Sequence, residues 1–119
     1  MPNPNVYWEI CVKDLKAGIR FYTSLFDWEI REEPELNLMN YGMVSTGEEW
    51  DGGIFQAQGE MKPYVAVYFK VDDIDAVIDK AEKLGAFVIA RKTLISEQYG
   101  YYGLFTDPDG NLVGLWSKK

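Results

Sequence analysis

Glu9 is the residue best placed to do chemistry in this chain. It falls in the alternating run VYWEICV, Val6 to Val12, where Trp8, Ile10 and Val12 share one parity and Tyr7, Glu9 and Cys11 the other. A carboxylate on a half-buried strand is costly unless something pairs with it. Tyr68 and Lys70, in a second alternating run, are the expected partners. So placed, the carboxylate either orients a ligand or acts as a general base with its pKa raised by apolar surroundings. The plainer alternative is a structural ion pair or hydrogen bond. Cys11 has no imidazole to activate it, since the chain contains no His, and reads as an inert small hydrophobe. Without His, and with one Cys, a divalent site would need convergent carboxylates. No metal or other cofactor is expected. Tyr41, Trp50, Tyr68, Tyr99, Tyr101, Tyr102 and Trp116 exceed what a core requires and could wall a flat or cationic organic ligand. Taken singly, each fits sheet packing or a dimer surface as well.

The elements that must position these residues come in two copies. When Asp14 is laid on Asp73, Val12 falls on Val71, Ala17 on Ala76, Ile19 on Ile78, Leu25 on Leu84 and Ile30 on Ile89. Each copy opens with an alternating run, read as a strand, then passes an Asp into a stripe of helical period. In the first copy the strand spans Val6 to Val12 and the helix 14 to 26, with Asp14 as N-cap. Leu15, Ile19, Tyr22, Leu25 and Phe26 face the Trp8 parity. Strands follow at Trp28 to Arg31, Leu38 to Thr46 and Gly53 to Gln58, with EEPELN a polar turn and TGEEWDGG a Gly-rich connection. The second copy gives a strand from Tyr64 to Val71, a helix from Ile74 to Leu84 stopped by Gly85, and strands at Phe87 to Arg91, Tyr101 to Thr106 and Leu112 to Trp116. DPDGN is the turn before the last strand, and SEQYGYY, Ser96 to Tyr102, reads as a loop that could serve as a lid. The modules are about 6–58 and 64–117, joined by a linker at 59–63 within a single domain spanning 1–119.

With 19 acidic and 12 basic residues, the net charge of -7 argues against nucleic-acid binding. No apolar run approaches a membrane span, and the start has neither the basic nor the apolar part of a signal peptide, so a cytoplasmic protein without membrane contact is expected.

Two β-α-β-β-β modules, an Asp-started helix in each, Phe21-Tyr22 inside the first helix and a terminal DPDGNLVGLW resemble the vicinal oxygen chelate superfamily of glyoxalases, bleomycin-resistance proteins and dioxygenases. The resemblance implies an α+β fold whose curved mixed sheets form a cup, with helices outside and commonly a homodimer. It also implies four metal-ligand positions, two per module, commonly His in the first strand and Glu in the last. Here they read Tyr7 and Gly53 in the first module, Ala66 and Gly114 in the second. None offers imidazole or carboxylate. Cup-facing residues would be Tyr7, Glu9, Cys11 and Phe55 with Ala66, Tyr68, Lys70, Leu112 and Trp116, and Tyr101 is added as a ligand contact. The two glycines either leave room for a ligand or relieve a bend in the sheet.

The first expectation is therefore a metal-independent binder of a small cationic or aromatic molecule. The second is a lyase or isomerase using Glu9 as base, or an atypical metal site. The third is an accessory, partner-binding domain with a vestigial cup.

Overall fold

Asp14 and Asp73 start the two helices in the same way. Each has an extended backbone, and its carboxylate accepts from the amide three residues on, Ala17 at 3.0 Å and Ala76 at 3.1 Å. One otherwise orphaned amide of each first turn is thereby satisfied. The computed structural model describes residues 5–32, 40–47 and 49–119. In order, the elements are β1 (Val6–Val12), α1 (Leu15–Leu25), β2 (Glu29–Glu32), β3 (Tyr41–Ser45), β4 (Trp50–Gln56), β5 (Tyr64–Lys70), α2 (Ile74–Lys83), β6 (Phe87–Ser96), β7 (Gly100–Thr106) and β8 (Leu112–Ser117). The chain divides into two units after Val65.

In the first unit the strand order is β2-β3-β4-β1. β2, β3 and β4 form an antiparallel meander, and β1 joins the far side of β4 in parallel. Under α1, Leu15, Val44 and Ile54 form the buried cluster, with Trp8, Val12, Ile19, Tyr22, Trp28 and Ile30 packed on it. The second unit repeats this plan as β6-β7-β8-β5, again with the first strand parallel to the last. Its cluster is Ile74, Ile78 and Leu115, flanked by Val71, Val77, Val88, Tyr101 and Phe105. An α+β fold of two βαβββ units is thus what the duplicated pattern produces. Among the described residues, no helix is long and apolar enough to cross a membrane.

Several boundaries differ from those expected. Leu25 and Phe26 do not join the buried stripe of α1; they are 59% and 44% exposed. β4 begins at Trp50, not Gly53, because Gly52 is a ladder residue whose missing side chain leaves room for the Trp8 ring opposite it. β6 runs on to Ser96 past Arg91, through register shifts that interrupt its alternation. Within SEQYGYY only Glu97 to Tyr99 form the hairpin turn, since Ser96 ends β6 and Gly100 to Tyr102 open β7. Ser96 Oγ accepts from the Tyr99 amide at 2.9 Å, and Gly100 takes φ +87, a left-handed conformation that L side chains rarely adopt. Leu38, Met39 and all of EEPELN except Glu32, which belongs to β2, lie outside the described residues.

Candidate functional site

In the first unit, Glu9 lies opposite Gly53 in the parallel ladder, and Gly53 lies opposite Met43 on β3. Two residues back along β3, Tyr41 donates its hydroxyl proton to Glu9 Oε2 at 2.8 Å. The Tyr7 and Tyr41 oxygens are 2.7 Å apart. A phenol has one proton. With that of Tyr41 committed to Glu9, Tyr7 supplies the proton for the second bond. The chain of donors therefore runs Tyr7 to Tyr41 to Glu9, with Met43 Sδ 3.9 Å from the Tyr7 oxygen. Tyr41 is only 7% exposed. Burial first, then the adjacent Glu9 charge, push its phenol well above the usual tyrosine range, so it remains a donor throughout the neutral range. Phe55 continues the wall, stacked on Tyr41 at 6.1 Å and edge-on to Tyr64 at 5.9 Å.

Cys11, of the same parity, is 2% exposed, with Sγ 3.8 Å from Met61 Sδ. Burial raises its thiol pKa against a backbone hydrogen bond with Tyr64 that lowers it. A thiol so placed is a poor nucleophile. It borders a shallow cleft of about 410 Å³ lined by residues 10–13, Tyr22 and residues 63–65, away from the Tyr7–Tyr41–Glu9 chain. The hydrogen-bonded chain is the candidate site, because the cleft gathers no comparable set of polar groups.

In the second unit, Tyr68 takes the position of Glu9 and lies opposite Gly114. Ala66 and Tyr68 are buried, and Lys70 Nζ sits 5.7 Å from the Trp116 ring centroid. The Trp116 indole donates to the Tyr99 carbonyl at 2.6 Å. Tyr101 packs on the cluster beneath α2 with Lys92 over its ring at 4.5 Å, while Tyr102 takes the ladder position opposite Trp116.

The two glycines neither leave open room nor merely ease a bend. A Cβ on Gly53 would overlap the hydroxyls of Tyr41 and Tyr7, and one on Gly114 would overlap the Tyr68 ring. Phenols occupy the space that a carboxylate side chain would need. A divalent metal does not fit this donor set. Tyr7 and Gly53 in one unit, and Ala66 and Gly114 in the other, supply one phenol and no imidazole or carboxylate. Among the described residues there is no group of three or more His, Cys, Asp or Glu able to hold an ion.

Tyr41 is the member of the candidate site that sequence alone did not connect to Glu9. The signal was there in Gly53, an empty ladder position next to a carboxylate, which a large side chain from the neighbouring strand can fill.

Paired βαβββ units, each closed by parallel pairing of its first and last strands, define the class. The family model for the glyoxalase/bleomycin resistance protein/dioxygenase superfamily matches residues 6–115, and the chain belongs to that superfamily. CFP32 of Mycobacterium bovis, which carries a provisional glyoxylase name, is 35% identical over 108 residues, covering 87% of this chain. The chain spans 41% of the length of that relative. The Mn(II)-bound glyoxalase from Novosphingobium aromaticivorans superposes with a TM-score of 0.67 at 22% identity, over 94% of this chain and 38% of its own. Methylmalonyl-CoA epimerase from Mycobacterium tuberculosis gives 0.70 at 13% identity, over 95% and 86%. At these identities the likeness to the solved structures is one of fold.

Proposed function

We propose that the chain binds a small organic cation on the inner face of its first unit and does so without the divalent metal of its superfamily. The observation that carries this reading is the direction of the Tyr7–Tyr41–Glu9 chain. Both phenolic protons are directed along the chain toward Glu9, so the cluster concentrates acceptor atoms and negative charge: the Glu9 carboxylate, the Tyr7 oxygen and, more weakly, Met43 sulfur. A ligand that complements acceptors brings donors, and an ammonium or guanidinium group also suits aromatic neighbours such as Phe55 and Tyr64. The net charge of -7 favours the approach of cations. The second unit offers its own contacts through Tyr68, Lys70 and Trp116. Homodimerisation belongs to the same proposal. Light scattering at tens of micromolar tests it, and a particle of only 13.7 kDa would speak against it.

The test is a thermal-shift panel pairing each organic cation with a neutral and an anionic analogue of the same skeleton. A ligand that prefers the native state raises the melting temperature by mass action, by about 2.7 kcal/mol of stability at a hundredfold excess over Kd. Cations alone should shift the parent protein. Glu9→Gln keeps an oxygen for Tyr41 and removes the charge, so it should abolish the shift with only a modest change in intrinsic stability. A panel with no response would favour the accessory-domain reading. A stoichiometric metal in the protein as isolated would overturn the metal-independent one.

Proton transfer by Glu9 in a lyase or isomerase is the second reading, supported by the enzyme names of the relatives and by a carboxylate joined to two phenols. Incubation of candidate carbon acids in D2O, with exchange followed by NMR, tests it. Exchange that survives Glu9→Gln would remove Glu9 from that role.

A further inference from the structure

The strands of the two units differ in charge. Those of the first unit carry Glu9, Glu29, Glu32 and Asp51. β5, β6, β7 and β8 contain no Asp or Glu, and their basic residues are Lys70, Arg91 and Lys92. Arg91 is tied to Asp79 and Glu82 of α2, and Lys92 lies over Tyr101, which packs beneath α2. Leu115, Tyr101 and Phe105 mark that helix side, so by alternation Trp116, Tyr102 and Leu104 face the other way. Lys70, the neighbour of Trp116 in the parallel ladder, is the base of this inner face. The acids next along the chain, Asp72 and Glu97, are exposed and lie outside the strands.

Across β5, β8 and β7 the ladder sets Lys70, Trp116 and Tyr102 in one row. All three are half-buried, yet the protein leaves their recognition groups unused. Lys70 Nζ approaches the Trp116 ring at 5.7 Å, near the outer limit of a cation–π contact, and makes no ion pair or hydrogen bond among the described residues. Among the same residues the Tyr102 hydroxyl has no hydrogen-bond partner, and neither the Trp116 ring nor the Tyr102 ring meets another aromatic ring. In the first unit, by contrast, Tyr41 stacks on Phe55 and Tyr22 on Trp28. The Trp116 indole is nonetheless fixed, because its N–H is held by the Tyr99 carbonyl at 2.6 Å. The row therefore presents an ammonium at one end, a flat apolar face in the middle and a hydroxyl at the other end. Strands two apart are separated by about 10 Å, on the scale of a single aromatic ring with a substituent at each end.

We propose that the inner face of the second unit binds a small aromatic anion of the aryl-carboxylate class. The ring lies on Trp116, the carboxylate meets Lys70, and an acceptor at the far end of the ring receives the Tyr102 hydroxyl. The net charge of -7 opposes anions at long range, but screening beyond about 8 Å at physiological salt leaves Lys70 to set the sign of the site. This site does not rest on the cation reading of the first unit.

Calorimetric titration of the parent protein with para-methoxybenzoate is the test. Saturable binding that weakens with added salt is expected. Three analogues, each lacking one feature, read the three contacts. para-Methoxybenzyl alcohol, without the charge, should bind about tenfold more weakly, the scale of a hydrogen bond to a charged group. para-Methoxycyclohexanecarboxylate, without the flat ring, should also lose about tenfold. para-Methylbenzoate, without the far acceptor, should lose about fivefold. Lys70→Met, which keeps the apolar stem, should reduce para-methoxybenzoate to the level of the alcohol, and Tyr102→Phe should make the methoxy and methyl benzoates equal. The analogue series needs no variant, so it decides even where one of these fails to fold. Absence of para-methoxybenzoate binding, equal affinity for it and the alcohol, or undiminished affinity in Lys70→Met overturns the proposal. Aliphatic anions lack the ring that seats on Trp116, so a cation panel built on aliphatic skeletons reads the first unit and this series reads the second.

Discussion

Where the first unit has Glu9 the second has Tyr68, and both lie opposite a glycine, Gly53 and Gly114. The same vacancy is filled in two ways. In the second unit the first-strand residue itself folds its ring over the glycine. In the first unit the filler is the Tyr41 hydroxyl, reaching across from β3, which releases the first-strand position for a carboxylate. A related exchange operates on the helix side, where Trp8 over Gly52 in one unit becomes Val67 beside Val113 in the other. Volume is kept while its source moves between strands. One backbone thus supports the Tyr7–Tyr41–Glu9 hydrogen-bonded chain in one copy and a tyrosine ring laid over the glycine in the other, because the ladder fixes which positions face each other and leaves open which of them is large.

The glycines give the most direct way to break this comparison. Gly53→Ala and Gly114→Ala should each cost about 3 kcal/mol in denaturant unfolding, at the upper end for overpacking. Gly47→Ala, with no atom of the described residues within 4 Å of its added carbon, is the control that should change little. A neutral Gly53→Ala would mean the phenols can move aside and the space is open after all.

Tyr41→Phe comes next. It removes the donor to Glu9 and the acceptor of Tyr7, so a loss of about 2 kcal/mol is expected. Tyr102, which occupies the matching ladder position opposite Trp116, should tolerate the same change within about 0.5 kcal/mol. Equal losses at the two positions would erase the distinction between the units.

The alkaline limb sharpens it further. The Tyr41 phenol is raised by folding, so between the ordinary tyrosine value, about 10, and its own, the native state holds a proton that the unfolded chain has released. That contribution is fully present below about pH 10 and is lost as pH climbs through the native value. Melting curves across this range should therefore fall less steeply in Tyr41→Phe than in the parent. The smallest effect is expected at the caps: Asp14→Ala and Asp73→Ala should each cost about 1 kcal/mol. α2 has Asp75 in its first turn and Lys80 and Lys83 in its last to complement the helix dipole, whereas α1 has no such charges. Asp14→Ala should thus be the costlier of the two.

What was legible in the sequence was local. The Val6–Val12 alternation, the Asp caps, Gly85 after the second helix and the DPDGN turn each carry their own signal within a few residues. Asp107 illustrates this, accepting from the Asp109 and Asn111 amides and from the Asn111 side chain inside a single turn. What was not legible depended on pairs distant in the chain. Trp50 to Gly52 looked like a loop because two glycines follow an acid, and only Trp8 on β1 explains why they form a strand. Leu25 matched the helical period of the core stripe but is exposed at the end of α1. The partnership of Tyr41 with Glu9 required knowing that β3 borders β4 and that Gly53 stands between them.

The parallel pairing of first and last strand also has a kinetic consequence. In each unit the antiparallel meander can form from neighbouring segments, but β1 reaches β4, and β5 reaches β8, only after the intervening helix and two strands are closed into a loop, as the pairs Trp8 with Gly52 and Val67 with Val113 require. Loop closure of that kind is an entropic cost met before its contacts are gained, and it slows folding. Each unit is thus expected to fold by completing its meander first and docking its opening strand last. The strand that bears Glu9 would then be the late-arriving one, so its contacts should show in the unfolding rate more than in the folding rate.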